Sequence, residues 1–144
     1  MIEILKDTSF NHVYAFDPGD STGICYLGHL WREPTFRTHT VSQTELHRFL
    51  RTREVPSEGL IVYEDFVSRS SFLSRRQIAP QIIGAVRFWA DMNASVEIRV
   101  TPSESHRINR SDLKKAEWVW HSEHELDAIR ILVCALLKIK YAKG

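Results

Sequence analysis

The chain has 144 residues, 26% charged and 43% hydrophobic, with a net charge of +1. That length fits one domain with a full core, 1–144, and the composition is that of a soluble globular chain, neither disordered nor membrane-spanning. Its longest apolar run, Ile131 to Leu137, is far too short to cross a bilayer, so no membrane association is expected. The charge is uneven: residues 1–68 hold 6 Lys/Arg against 10 Asp/Glu, and residues 69–144 hold 13 against 8. The second half therefore suits an anionic partner, while the first holds carboxylates that are not all meant for solvent. The N-terminus MIEILKDTSF has no basic n-region or cleavage pattern, and Cys25 and Cys134 sit inside apolar runs. Packed thiols in a reducing compartment follow, and with them a cytoplasmic protein.

In chain order, His12 to Phe16 is an apolar run that ends in Asp17. Pro18-Gly19 turns the chain, and Ser21-Thr22-Gly23 leads into a second run, Ile24 to Leu27, which Leu30-Trp31 continues. This predicts a hairpin whose first strand ends in a carboxylate. Thr35 to Val41 alternates and is rich in Thr, as a half-exposed third strand would be. Ser42 with Glu45 forms a capping box, and Leu46, Phe49 and Leu50 mark a helix face that fades near Arg53. Leu60 to Tyr63 is a second buried strand, and it too stops at acid, Glu64-Asp65. A basic, Ser-rich loop follows over 68–76. Ile78 to Met92 has helical spacing, with Pro80 in its first turn. Val96 to Val100 is a fifth strand, and residues 101–104 and 111–116 suggest short helical turns. Ser122 and Glu125 form another capping box, opening an apolar helix that ends among Lys138, Lys140 and Lys143. The order β-β-β-α-β-α-β-α predicts an α/β fold with a mixed five-stranded sheet flanked by helices.

Three acids stand at distinctive places in this order. Asp17 ends the first strand, Glu64 ends the fourth, and Asp127 lies one turn into the last helix with His124 on the same face. In isolation Asp17 before Pro-Gly is ordinary turn chemistry. Alternation points Glu64 and Asp65 to opposite faces, which leaves open which of them faces a cleft. If strands one and four are parallel neighbours, Asp17 and Glu64 meet beyond their carboxyl ends, where α/β sheets build sites. Carboxylates gathered there repel one another unless a cation neutralises them. Oxygen ligands suit Mg²⁺ or Mn²⁺, and two such ions roughly 4 Å apart clamp an in-line attack at a phosphodiester. His121 and His124 lack the further ligands that zinc requires.

AFDPGDSTG after a strand, IVYEDF on a later strand and HELDAIR opening the last helix together resemble the RuvC-type Holliday junction resolvases, whose fold is ribonuclease H-like. The match runs from about residue 12 to about residue 140, and it is nearer to the short resolvases of phages than to the longer bacterial enzymes. The resemblance implies a metal-dependent endonuclease that acts as a homodimer on four-way DNA junctions. Paired nicks would leave 5′-phosphate and 3′-hydroxyl ends. It assigns Asp17, Glu64, His124 and Asp127 to two metal ions, Mg²⁺ or Mn²⁺, with Asp17 bridging them. Many members have Asp where this chain has His124. It also implies that the helix Ile78 to Met92 supplies much of the dimer face.

Around that centre, Arg69, Arg75 and Arg76 are candidates for phosphate contact, and Phe72 is a candidate wedge into the junction. Arg107, Arg110, Lys114 and Lys115 are candidates for the basic residues that assist the family's transition state. Trp118 and Trp120 have the chemistry to stack on bases, but core or subunit packing is favoured for both. Two alternatives keep the fold: a broader nuclease for flaps, forks or RNA–DNA hybrids, and a branched-DNA binding module without cleavage. Actin-like sugar kinases share the opening hairpin but need two such domains.

Overall fold

The computed structural model describes residues 10–30, 32–53, 59–64, 78–93 and 95–142. Its strands are β1 (His12–Asp17), β2 (Ser21–Gly28), β3 (Thr35–Ser42), β4 (Gly59–Glu64) and β5 (Val96–Val100). Its helices are α1 (Gln43–Thr52), α2 (Ile78–Met92), two short pieces α3 (Pro102–Ser105) and α4 (Arg110–Lys115), and α5 (Glu123–Ala142). The strands form one sheet in the order β3-β2-β1-β4-β5. β1–β2 and β2–β3 are antiparallel, whereas β1–β4 and β4–β5 are parallel. This is the mixed five-stranded sheet that the element order predicts.

β1 and β4 lie at the centre, and their burial explains their continuous apolar runs. Residues 12–16 and 59–63 are all buried, because helices cover both faces of the sheet. One face carries Val13, Ala15, Cys25, Leu27, Leu60 and Val62 against Leu126, Ile129, Leu132 and Leu136 of α5. The other carries Tyr14, Phe16, Ile24, Ile61 and Tyr63 against Leu46 of α1 and Ile82, Val86 and Trp89 of α2. β3 is an edge strand and keeps a half-exposed face. Both cysteines are free and buried.

Three local details refine the sequence reading. β2 stops at Gly28, and Leu30 does not continue it. His29 takes a left-handed φ of 56°, which turns the chain so that the Leu30 N–H donates to the Asn11 carbonyl at 3.1 Å. Leu30 is buried in the core on the α5 side; Trp31 lies outside the described residues. At the end of α4 a second left-handed residue, Glu117 (φ 68°), closes the helix. The Trp118 N–H reaches back to the Leu113 carbonyl at 3.0 Å, a C-terminal motif that delivers the Trp118 ring into the core. There it stands edge-on to Phe36 at 5.2 Å, as core packing for that residue requires, and Trp120 packs half-buried beside it. Finally, the α1 capping box forms as expected, but the one at α5 forms only in part. No helix among the described residues is long and apolar enough to cross a membrane.

What places α5 is Gly23. A Cβ there would lie 1.9 Å from the His124 carbonyl oxygen and 2.5 Å from its carbon. Both are backbone atoms, so the first turn of α5 rests against β2 at a distance that only glycine permits. Gly23→Ala is expected to push α5 off the sheet and cost about 1–3 kcal/mol, read as a lower urea midpoint. An unchanged midpoint would show that the contact yields freely.

Candidate active site

Parallel pairing puts Phe16 of β1 beside Tyr63 of β4. The next residues, Asp17 and Glu64, therefore leave the sheet side by side at its carboxyl edge. β5 continues the row, with Val100 opposite Glu64, and the chain then enters α3. From the other side the first turn of α5 comes down on Gly23, the partner of Asp17 in β2. That contact carries His124 and Asp127 to the same edge. His124 Nδ1 lies 3.8 Å from Asp17 Oδ2.

The electrostatics follow from this crowding. Asp17 is pushed up from the usual carboxylate range to about 8, first by burial, then by the charges of Asp127 and Glu64. Glu64 is also raised by burial, and a hydrogen bond from Ser105 and the field of His106 oppose the rise while Asp127 adds to it. Three carboxylates thus sense one another in a half-buried cleft.

Several residues that hold this arrangement carry no motif in the sequence. Ser105, buried in α3, donates its hydroxyl to Glu64 Oε2 at 2.9 Å. Arg130 donates Nε–H to the Ile108 carbonyl at 3.1 Å and a terminal N–H to Asp127 Oδ1 at 3.3 Å. It therefore ties Asp127 to the segment after α3. Its signal was present, since Arg130 stands three residues after Asp127 on the same helix face.

Glu125, expected to cap α5, reaches instead across to the sheet. It accepts from Thr38 at 2.5 Å, Thr40 at 3.2 Å and the His121 N–H at 3.3 Å. Ser122 completes its half of the box by accepting from the Glu125 N–H at 3.1 Å. Burial raises the Glu125 carboxyl, but these hydrogen bonds outweigh it and hold the group below its ordinary range. An ionised Glu125 thereby pegs the start of α5 to β3.

The remaining candidates fall elsewhere. Arg69, Phe72, Arg75 and Arg76, with Asp65, lie outside the described residues. Arg107, Lys114 and Lys115 are exposed on the α3–α4 segment. The charge of Arg107 acts at Cys134, about two helical turns along α5 from Asp127. Arg110 is paired with Glu123. Glu104 and Lys138 join α3 to α5 at 2.8 Å.

The donor set at the strand ends is carboxylate oxygen with one imidazole, which suits a hard divalent cation. Asp17's high affinity for a proton is the mark of a site short of positive charge, so these residues fit such an ion. Among the described residues no three acid, His or Cys side chains are gathered closely enough to hold one as they stand.

No known family's sequence model and no curated protein matches the chain. Solved structures share its fold. RuvC from T. thermophilus, in complex with a Holliday junction substrate, matches with a TM-score of 0.66 at 13% identity, covering 90% of this chain and 95% of that one. A Thermus thermophilus RuvC structure matches with a TM-score of 0.61 at 14% identity, covering 90% and 96%. The likeness is one of architecture: the chain has the ribonuclease H-like fold of RuvC.

The raised Asp17 makes a prediction about stability. Its folded form holds a proton more tightly than the unfolded chain does, so the native state is favoured while Asp17 is protonated. That contribution is lost as pH rises from about 4 to about 8. Asp17→Asn cannot ionise. In EDTA it is expected to match the parent protein near pH 4 and to exceed it near pH 8 by on the order of 2–5 kcal/mol, at about 1.4 kcal/mol per pKa unit. Denaturant midpoints at the two pH values measure this, and an equal difference at both would remove Asp17 from the crowded cleft.

Proposed function

We propose that the chain is a metal-dependent endonuclease that resolves four-way DNA junctions, of the short kind found in phages, with a role in DNA recombination and repair. The observation that carries this reading is the meeting of Asp17, Glu64 and Asp127 at the carboxyl edge of parallel β1 and β4, strongly enough to raise Asp17 to about 8. The RuvC fold, seen in one structure with a Holliday junction substrate, supports the substrate class.

In this reading Asp17, Glu64, His124 and Asp127 would together hold two divalent ions. Bound there, Mg²⁺ or Mn²⁺ would supply a water activated for in-line attack and neutralise charge on the departing 3′-oxygen. Ser105 holds the Glu64 carboxylate in one orientation. Arg130 does the same for Asp127 and brings a positive charge to the cleft. Glu125 and Gly23 fix the helix that carries His124 and Asp127. The P–O3′ bond breaks, leaving 5′-phosphate and 3′-hydroxyl ends. Arg69, Arg75, Arg76, Arg107, Lys114 and Lys115 are proposed to contact phosphates, and Phe72 to wedge into the crossover.

Resolution needs two active sites related by symmetry, and α2 offers a surface for a second copy. Phe88 and Met92 are 67% and 71% exposed, and nothing stands within 4 Å of a Cβ built on Gly84. Spaced four apart, the three form one open apolar stripe.

A labelled immobile junction, beside duplex, flap and fork DNA, tests the reading in EDTA, Mg²⁺ or Mn²⁺. Paired nicks in the junction alone are expected, with metal required. Asp127→Asn is expected to lose at least ~100-fold in rate, about 2.7 kcal/mol of transition-state stabilisation, while still binding the junction. Equal cutting of flaps and forks would indicate a broader branch nuclease, and binding without cutting a recognition module. For the dimer, sedimentation should give a two-chain species that Phe88→Glu converts to monomer with an unchanged unfolding midpoint. A variant that stays dimeric would exclude the α2 stripe.

A further inference from the structure

The sheet face turned away from α5 holds a second site. Tyr14, Tyr26 and Arg37 form one row across β1, β2 and β3, since Tyr14 pairs with Tyr26 and Tyr26 with Arg37. The next row on that face includes Ile24 and His39. With Thr35, His29, Phe49 of α1 and Arg53 at its C-cap, these residues line a cavity of about 230 Å³.

The cavity is held in shape from several sides. The Tyr14 and Tyr26 rings lie 4.7 Å apart, and Phe49 stands edge-on to Tyr14 at 6.1 Å. The Tyr26 hydroxyl is anchored to His12 Nδ1 at 2.9 Å. It occupies the space that a side chain at Gly28 would need, 1.9 Å from a Cβ there. The Arg53 guanidinium lies 5.1 Å over the Phe49 ring, and its carbonyl receives the Trp89 indole N–H at 2.8 Å. An aromatic floor is thus set before any ligand arrives.

Its charge is one-sided. Arg37 and Arg53 bring two guanidinium groups to it, and neither has an ion-pair partner among the described residues. His29 and His39 stand on the exposed rim, and no Asp or Glu is among the described lining residues. Two guanidiniums beside a tilted pair of phenol rings, with no carboxylate among the described lining residues, select an anion with a flat ring attached. Guanidinium groups match phosphate oxygens, and aromatic rings match the face of a base.

We propose that this cavity binds a nucleotide, its phosphate taken by Arg37 and Arg53 and its base by the Tyr26–Phe49 side. The site lies on the opposite face of the sheet from α5, and it does not depend on the carboxylates being a nuclease centre. A free mononucleotide and the phosphorylated end of a DNA strand present the same chemistry.

Calorimetric titration in EDTA tests it, with inorganic phosphate, thymidine, thymidine 5′-monophosphate, and tetrathymidylate with and without a 5′-phosphate. Saturable binding of the monophosphate is expected, at least ~10-fold tighter than phosphate or thymidine alone. Arg37→Ala should weaken it by ~10-fold or more and Arg37→Lys by less, whereas Asp127→Asn should leave it unchanged. If the 5′-phosphorylated tetramer binds ~10-fold tighter than the monophosphate, the natural source is a strand end; equal affinities assign the site to the free nucleotide. Arg37 lies on an edge strand, so its variants retain the fold, and matched unfolding midpoints verify this. No saturable binding of any phosphorylated probe, or affinity unchanged in Arg37→Ala, would overturn the proposal.

Discussion

The close approach of α5 to β2 at Gly23 is the contact on which the site depends. β1 and β4 can bring Asp17 and Glu64 together by pairing alone, because parallel neighbours end at one edge. Asp127 has no such guarantee. It reaches that edge only because a helix backbone rests directly on a strand backbone, at a spacing that excludes any side chain at position 23. Glu125 then fixes the rotation of the helix by spreading its two oxygens over Thr38 and Thr40 of β3. A glycine thus sets the distance and a buried carboxylate sets the angle.

Two buried or half-buried acids near this edge meet opposite fates, and the difference is one of partners. Glu125 is nearly inaccessible yet stays ionised, because hydroxyl and amide donors surround it. Asp17 faces burial together with two other carboxylates, and its affinity for a proton rises to about 8. The first arrangement stabilises the fold. The second costs stability at neutral pH, and such a cost is characteristic of a site whose charge is meant to be met by a ligand. Ser105 and Arg130 moderate that cost while holding Glu64 and Asp127 in place.

The two faces of the sheet divide the chemistry. α5 covers the central strands on one face, and the acids emerge at the carboxyl edge beside it. α1 is shorter, and its last turn leaves the β2–β3 half of the other face partly open. Aromatic and basic side chains line that opening, and the exposed stripe of α2 lies on the same side of the sheet. The acids therefore gather at the carboxyl edge of the sheet, and the basic cavity lies over its other face.

Much of the fold was legible from local pattern. Continuous apolar runs ending in acid marked β1 and β4, alternation marked β3, and Ser42 with Glu45 marked the start of α1, because each of these rests on contacts within a few residues. The same locality located Asp17 and Glu64 at strand ends and Asp127 near the start of a helix. What pattern could not carry was anything decided between distant segments. Leu30 read as more strand, since only the left-handed turn at His29 diverts the chain there. Glu125 read as a cap, since its partners Thr38 and Thr40 lie more than 80 residues away. Ser105 and the Tyr14–Tyr26–Arg37 row had no motif at all, because the first acts through a contact 41 residues away and the second arises from strand register. By itself, the sequence determined which residues form strands and helices and where the acids fall along them. Tertiary structure decided which acids meet, what holds them and what lies on the far face, because those outcomes depend on packing distances that no local window contains.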